Sequence, residues 1–327
     1  REEGLRETIL RALIEAHPLV FRRIIRTMVN HDLARFSSVI LAVNQWFFLA
    51  YTVKDVALTR RFLRLTADFL EDPNALHRAI ESGSAEDAYI ALWVMGHDDV
   101  KVAAQNARSL LNFPDVERRY IAVHCLNLFG EASNISDYLD HLDDPDIRIG
   151  LHILYHTRGK DKGLITPSTF EKIERLLARL PKQDTALEPL VWPWKGITSS
   201  RKHVAQYLFQ RPEPTYLRQA LPYLPLIGGY EKGYIFSTII KSAAFAEPDI
   251  REVVWKELPK LHRYAREIAF EALRNAALTD DDYHHLETLL THKKSDLHHI
   301  AMSLIKKQSA EQRLISAERL LQTKHPN

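Results

Sequence analysis

Two stretches of the chain share a pattern of residues that decides the fold. Residues 115–130 read DVERRYIAVHCLNLFG, and residues 146–159 read DIRIGLHILYHTRG. When Arg119 is aligned with Arg148, apolar residues follow in both stretches at offsets of 3, 6 and 7, which gives a period of 29 residues. These apolar residues are Ala122, Cys125 and Leu126 in the first stretch and Leu151, Leu154 and Tyr155 in the second. The offsets predict one buried stripe on each of two equivalent helices.

The same offsets recur near the C-terminus, 32 residues apart. Arg266 and His298 take the place of the two arginines. The residues that follow are Ala269, Ala272 and Leu273 after Arg266, and Ala301, Leu304 and Ile305 after His298. A unit of about 30 residues that holds two helices cannot bury its apolar face alone, so it must stack on its neighbours.

The turn and capping residues between these stretches are also those typical of a helical protein. The chain has 11 glycines and no Asn-Gly or Asp-Gly pair of the kind that forms tight hairpins. Asp72-Pro73, Asp144-Pro145 and Thr166-Pro167 each place a capping side chain before a proline, and Ser309 with Gln312 fits a capping box. The sequence predicts an all-α protein.

The aspartate-rich turn, the arginine and the small apolar residues after it resemble the second helix of HEAT-type repeats. The resemblance covers about residues 84–158 and 248–322. It implies an α-α superhelix, in which antiparallel helix pairs stack into a solenoid. In such families aspartates and arginines link adjacent repeats, so the resemblance implies structural roles for Asp115, Arg119, Asp146, Arg148 and Arg266.

The pattern predicts four segments of one continuous solenoid. Residues 1–80 form a divergent N-terminal cap, residues 81–158 and 231–327 hold HEAT-like repeats, and residues 159–230 form an irregular hinge or insertion. The run WPWKG at residues 192–196 is similar to large bacterial MolR-type proteins of unknown function, a resemblance that implies no activity for this segment.

Composition narrows the classes of function. The chain has 44 Lys and Arg against 42 Asp and Glu, a balance that predicts neither nucleic-acid nor membrane binding. The most apolar run, residues 39–53, is too short for the roughly 20 residues of a membrane helix. Cys125 is the only cysteine, and we expect it to be buried in a reducing, cytoplasmic environment. Because the chain begins with Arg1, we expect it to be a segment of a larger protein.

Two groups of arginines are candidates for an interaction surface. They are Arg22, Arg23 and Arg26 in the first group and Arg60, Arg61 and Arg64 in the second. If the two helices were adjacent, these cations would form a basic ridge that could bind phosphates. The alternative is an ordinary solvated face, in which Asp32 and Asp68 neutralise part of the charge.

Aromatic and cationic residues also cluster at Trp192, Trp194, Lys195 and Arg201. Such a loop could stack a base or clamp a peptide, whereas the alternative is that the tryptophans close the core. Alkylpurine DNA glycosylases are HEAT-like proteins that use tryptophans and an acidic residue. Glu188 would take the role of that acidic residue here. No local motif of this chain matches theirs.

Five histidines lie within 16 residues near the C-terminus, beside three aspartates. They are His284, His285, His292, His298 and His299. Adjacent histidines on a helix point about 100° apart, so we interpret them as surface or interhelical residues rather than zinc ligands. No HExxH, GxGxxG or Walker motif is present, and we predict no catalytic residues, no metal site and no cofactor.

We therefore expect a non-catalytic scaffold for protein–protein interaction. Its partner would be another protein, with neither a membrane nor a small-molecule substrate involved. The alternative is a nucleic-acid-binding protein, with or without glycosylase activity, that uses the arginine groups. A third hypothesis is a metal-dependent activity at the C-terminal histidines.

Overall fold

A computed structural model describes residues 18–34, 56–130, 135–157, 165–188, 197–292 and 294–322. The described residues are almost entirely helical, with one short hairpin of two strands. Neighbouring helices pack in pairs, which confirms the all-α fold class and is consistent with an α-α superhelix. The chain forms two compact units, Arg1–Ser200 and Arg201–Asn327.

The described part of the first unit contains nine helices, followed by the pair of strands. Its elements are α1 (Pro18–Asn30), α2 (Val56–Glu71), α3 (Pro73–Ser82), α4 (Ala85–Asp98), α5 (Val100–Leu110), α6 (Val116–Leu128), α7 (Ile135–Leu139), α8 (Ile147–Thr157), α9 (Pro167–Arg179), β1 (Thr185–Leu187) and β2 (Ile197–Ser199). The strands pair antiparallel, with Thr185 opposite Ser199.

The helices of the first unit form two layers. In one layer each helix packs on the helix two places along the chain, in the order α2, α4, α6 and α8. Helices α3 and α5 alternate with them and pack on both chain neighbours in that layer, and α7 packs on α8. Helix α4 is buried on almost every side from Ala85 to Met95, as α6 is from Tyr120 to Leu126. The core of this unit therefore runs along the stacked layer.

Capping side chains set the ends of several helices. Asp72 accepts a hydrogen bond from the backbone N–H of Asn74, and Thr166 accepts one from Thr169, each ahead of a proline in the first turn as predicted. Asp144 does not start a helix. Helix α8 begins at Ile147, and Asp144 instead accepts hydrogen bonds from the backbone N–H of Asp146 and from Arg119.

Ion pairs tie successive helix pairs together. Arg119 on α6 binds both carboxylate oxygens of Asp144, at 2.7 and 3.1 Å, and Asp144 is buried. Arg118 is also buried and donates to the backbone carbonyls of residues 80, 81 and 83 at the end of α3. By contrast, Asp146 and Arg148 bind each other within one turn, and the contact of Arg148 beyond this turn is a long hydrogen bond to the backbone carbonyl of Glu188.

The second unit is built from shorter helices and three 3₁₀ segments. Its elements are α10 (Arg201–Leu208), α11 (Pro214–Ala220), a 3₁₀ helix (Leu221–Leu226), α12 (Gly229–Ile240), a 3₁₀ helix (Ala243–Ala246), α13 (Pro248–Glu257), a 3₁₀ helix (Leu258–Lys260), α14 (Arg263–Leu273), α15 (Asp280–Leu289), α16 (Ser295–Ile305) and α17 (Ala310–Gln322).

Within the second unit the tightest helix pair is α12 with α14. At Gly233 on α12, an added Cβ would lie 2.5 Å from the backbone oxygen of Ala265 on α14, closer than real Cβ atoms approach. The absence of a side chain at Gly233 therefore allows the two backbones to touch. Elsewhere in this unit Arg266 binds Asp296, which links helices 30 residues apart as predicted.

The division between the two units lies inside the segment 159–230, which the sequence marked as a hinge or insertion. The four-segment division itself stays a prediction, since residues 1–17 and 35–55 lie outside the described part of the chain. The apolar run 39–53 also lies outside the described part of the chain. Among the residues that are described, no helix has the length and apolarity required to cross a bilayer.

Candidate functional site

The two arginine groups lie on adjacent helices, because α1 packs on α2. Four of the six arginines bind carboxylates. The pairs are Arg22 with Asp98 at 3.1 Å, Arg26 with Glu71 at 2.7 Å, Arg60 with Asp32 at 2.6 Å and Arg61 with Asp87 at 2.9 Å. Arg23 and Arg64 are exposed. A phosphate would have to compete with these carboxylates, so the geometry gives the basic ridge little support.

Most of the aromatic loop predicted as a second surface lies outside the described residues. Trp192, Trp194 and Lys195 are not among the described residues, and Arg201 begins α10 in the second unit. Glu188 is exposed at the end of the first strand, where its backbone carbonyl accepts a long hydrogen bond of 3.5 Å from Arg148. Nothing described places Glu188 in a catalytic pocket.

The C-terminal histidines are spread over separate contacts. His285 stacks on Trp255 with ring centroids 5.4 Å apart and lies 3.2 Å from Glu252. His284 lies near Glu287, and the ring of His298 donates to the backbone carbonyl of His292. In the described part of the chain these side chains do not converge on a common centre. The hypothesis of a metal-dependent activity there loses its geometric basis.

A different set of histidines does converge, in the core of the first unit. His124 on α6 and His152 and His156 on α8 each offer a ring nitrogen, and these three atoms all lie within 4.8 Å of one another. The Nε2 atoms of His152 and His156 are 3.2 Å apart. His124 and His152 are buried, whereas His156 is half-buried. We refer to these three residues as the histidine cluster.

Aromatic rings pack around the histidine cluster. Tyr120 stacks on His152 with centroids 4.1 Å apart, and Tyr89 meets His124 edge to face at 5.8 Å. Burial, together with neighbouring histidines, holds the pKa of His124 and of His152 well below the ordinary value. Both rings are therefore neutral near pH 7 and keep a lone pair on one nitrogen.

The histidine cluster was not predicted from the sequence, because the 29-residue period aligns the two repeats in a different register. A period of 29 places His124 opposite Ile153. The buried positions match better at a spacing of 28, where residues 121–126 correspond to residues 149–154 and His124 corresponds to His152. The signal that was available is the pair His152 and His156, four residues apart on one helix face.

Three exposed tyrosines form a second cluster, on the surface of the second unit. Tyr230 and Tyr234 lie one turn apart on α12, and Tyr264 lies in the first turn of α14. Their exposed fractions are 46%, 48% and 50%, which is high for side chains of this size. We refer to these three residues as the tyrosine cluster. Tyr230, Tyr234 and Tyr264 are not among the site residues that the sequence predicted.

The rings of the tyrosine cluster contact one another. Tyr230 and Tyr264 stack in parallel with centroids 5.4 Å apart, and Tyr230 meets Tyr234 at 5.3 Å. The hydroxyls of Tyr230 and Tyr234 are 3.1 Å apart, and this hydrogen bond raises the pKa of Tyr234. The close approach of α12 and α14 at Gly233 holds the rings together. The result is an apolar surface with polar tips.

Comparison with known proteins gives a family without an assigned activity. No curated protein and no solved structure matches the chain. The HEAT-type and MolR-type resemblances accordingly stay predictions from the sequence. One family model matches residues 1–327, the whole of the chain, and it describes a family of unknown function, DUF5724. The chain belongs to the DUF5724 family.

Proposed function

We propose that the protein is a non-catalytic, repeat-type scaffold that binds a segment of another protein through the tyrosine cluster. The observation that carries this proposal is the contact between three half-exposed tyrosines on the surface of α12 and α14. Tyrosine is enriched where binding energy concentrates in protein interfaces, because it offers a large rigid surface and a polar tip.

The shape of the tyrosine cluster suits an extended segment with a proline or another apolar side chain. Parallel aromatic rings form the flat walls that receive proline-rich segments in several recognition domains. Because the hydroxyls of Tyr230 and Tyr234 share a hydrogen bond, one of them keeps its proton free to donate to a backbone carbonyl of such a segment, which would otherwise lose its water. His262 lies alongside the Tyr230 ring at 6.3 Å and extends the surface.

The charges beside the tyrosine cluster favour a protein over a nucleic acid. Arg263 binds Glu267 at 3.0 Å, and Lys202 binds Glu231 at 2.9 Å, so neighbouring cations already have carboxylate partners. Nucleic-acid binding requires several cations that release counterions from phosphates. We further propose a reducing, cytoplasmic location, a proposal supported by the one cysteine, Cys125, which is a buried free thiol.

Site-specific photo-crosslinking tests this proposal. A crosslinking amino acid at position 264, introduced in cells that make the protein, should capture one protein species. A segment of that species should then bind the purified chain in calorimetry. Tyr264→Ala should weaken this binding by about 30-fold, equivalent to about 2 kcal/mol at a central tyrosine. Tyr264→Phe keeps the ring and should retain most of the affinity.

Tyr155 supplies the matched control. It is another exposed tyrosine, at 67%, and it lies in the first unit. A crosslinker at position 155 should not capture the same species, and Tyr155→Ala should leave the affinity unchanged. Equal capture at both positions would refute the tyrosine cluster as the binding surface. Capture of nuclease-sensitive material at position 264 would favour the nucleic-acid alternative instead.

A further inference from the structure

We propose that His124, His152 and His156 bind a divalent transition-metal ion of the zinc class. The three ring nitrogens would be its protein ligands among the described residues. Water or a small anion would take the fourth position. This proposal is independent of the tyrosine cluster, which lies in the other unit of the chain.

The spacing of the nitrogens fits tetrahedral coordination. Two nitrogens that each lie 2.0–2.1 Å from a tetrahedral metal are separated by about 3.3 Å. The Nε2 atoms of His152 and His156 are 3.2 Å apart. The widest separation in the cluster is no more than 4.8 Å, so a shift of about 1.5 Å would bring the third nitrogen within coordination distance. Rotation of the His124 side chain could supply such a shift.

The helices position the ligands before any metal arrives. His152 and His156 are four residues apart on α8 and therefore lie on the same face. His124 comes from α6, the next helix of the stacked layer. Tyr120 stacks on His152 and fixes the plane of that ring. Ligands held by packed rings lose little freedom on binding, which favours affinity.

The chemistry of the cluster selects among metals. Neutral imidazole suits zinc, copper, nickel and cobalt, whereas magnesium and calcium prefer oxygen ligands. No cysteine or carboxylate of the described residues joins the three histidines in this group. Because three imidazole ligands carry no negative charge, water or a small anion would take the fourth position. A metal ion can reach the histidine cluster at His156, which is half-buried beside the exposed Tyr155.

The competing interpretation is a purely structural cluster of core histidines. Such a cluster places polar rings in a core where apolar residues of similar volume would serve at lower cost. Metal would then have no affinity for the site and no effect on stability. The two interpretations therefore differ in a measurement that does not depend on any activity.

Titration of the full-length, metal-free protein with Co²⁺ tests the proposal. We expect one equivalent of Co²⁺ to produce the intense visible absorption of a four-coordinate ion with nitrogen ligands. Zn²⁺ should displace it and raise the thermal unfolding midpoint, because a ligand that binds only the folded state stabilises it. Azide should shift the absorption bands by entering the fourth position, and unchanged bands would contradict an exchangeable fourth ligand.

Two variants separate the histidine cluster from other histidines. His156→Gln changes a half-buried side chain and should fold, as circular dichroism can verify, yet bind Co²⁺ at least about 100-fold more weakly. His285→Ala, in the C-terminal region, should bind like the wild type. If the wild type gives no visible absorption, or if His156→Gln binds as tightly as the wild type, the proposal is wrong. Loss of binding in His285→Ala alone would move the site to the C-terminal histidines and would also overturn it.

Discussion

Replacing Asp282 with alanine is expected to lower the free energy of unfolding of the second unit by about 3–5 kcal/mol. Asp282 is fully buried and joins two helices. One carboxylate oxygen accepts from the indole N–H of Trp255 at 2.7 Å, and the other lies 3.2 Å from Arg251. The same carboxylate caps α15 through the backbone N–H of Thr279. Its removal leaves the buried indole without its acceptor. It also removes the carboxylate beside the Arg251 guanidinium, which keeps neutral acceptors on Phe245 and Thr279.

Asp281→Ala is the matched control for this prediction. Asp281 is the neighbouring residue in the first turn of α15 and is exposed. Its replacement should change the stability by no more than about 0.5 kcal/mol. Urea unfolding followed by circular dichroism gives the free energies, and hydrogen exchange of α13 and α15 localises the loss. Equal stability of the two variants would mean that the Asp282 contacts are not formed in solution.

Much of the fold could be predicted from the sequence, because its signals are local. Apolar spacing marks a helix whatever its neighbours are, and a capping residue before a proline marks its start, as at Asp72 and Thr166. Asp144-Pro145 misled the prediction for a physical reason. The half-buried Arg119 competes for the same carboxylate, so Asp144 bridges two helix pairs, and α8 starts two residues later.

Neither candidate site could be predicted in the same way, because each joins residues from different helices. The histidine cluster forms only if α6 and α8 pack against each other in one particular register. When the two repeats are aligned one residue out of this register, His124 no longer corresponds to His152. The tyrosine cluster joins residues 30 or more positions apart, and the approach of α12 to α14 brings them together. Nothing in the local sequence around Tyr264 indicates that Tyr230 is its neighbour.

Gly233→Ala should destabilise the second unit by about 3 kcal/mol and separate the tyrosines. A Cβ at this position would lie 2.5 Å from the backbone oxygen of Ala265 and 2.7 Å from its Cα. Backbone cannot rotate away as a side chain can, so α12 and α14 must move apart. Since Tyr230 belongs to α12 and Tyr264 to α14, their parallel stacking at 5.4 Å should be lost with this movement. Urea unfolding measures the loss of stability.

Gly229→Ala on the same helix distinguishes this steric effect from the general effect of replacing a helical glycine. There the added Cβ would meet only a side-chain carbon of His262 at 3.4 Å, an ordinary contact. The stability of Gly229→Ala should match or exceed that of the wild type, because alanine restricts the unfolded chain more than glycine does. If the tyrosine cluster binds a protein segment, Gly233→Ala should weaken that binding even under conditions where the variant remains folded, whereas Gly229→Ala should not. Unchanged binding in folded Gly233→Ala would show that the partner does not depend on the juxtaposition of α12 and α14.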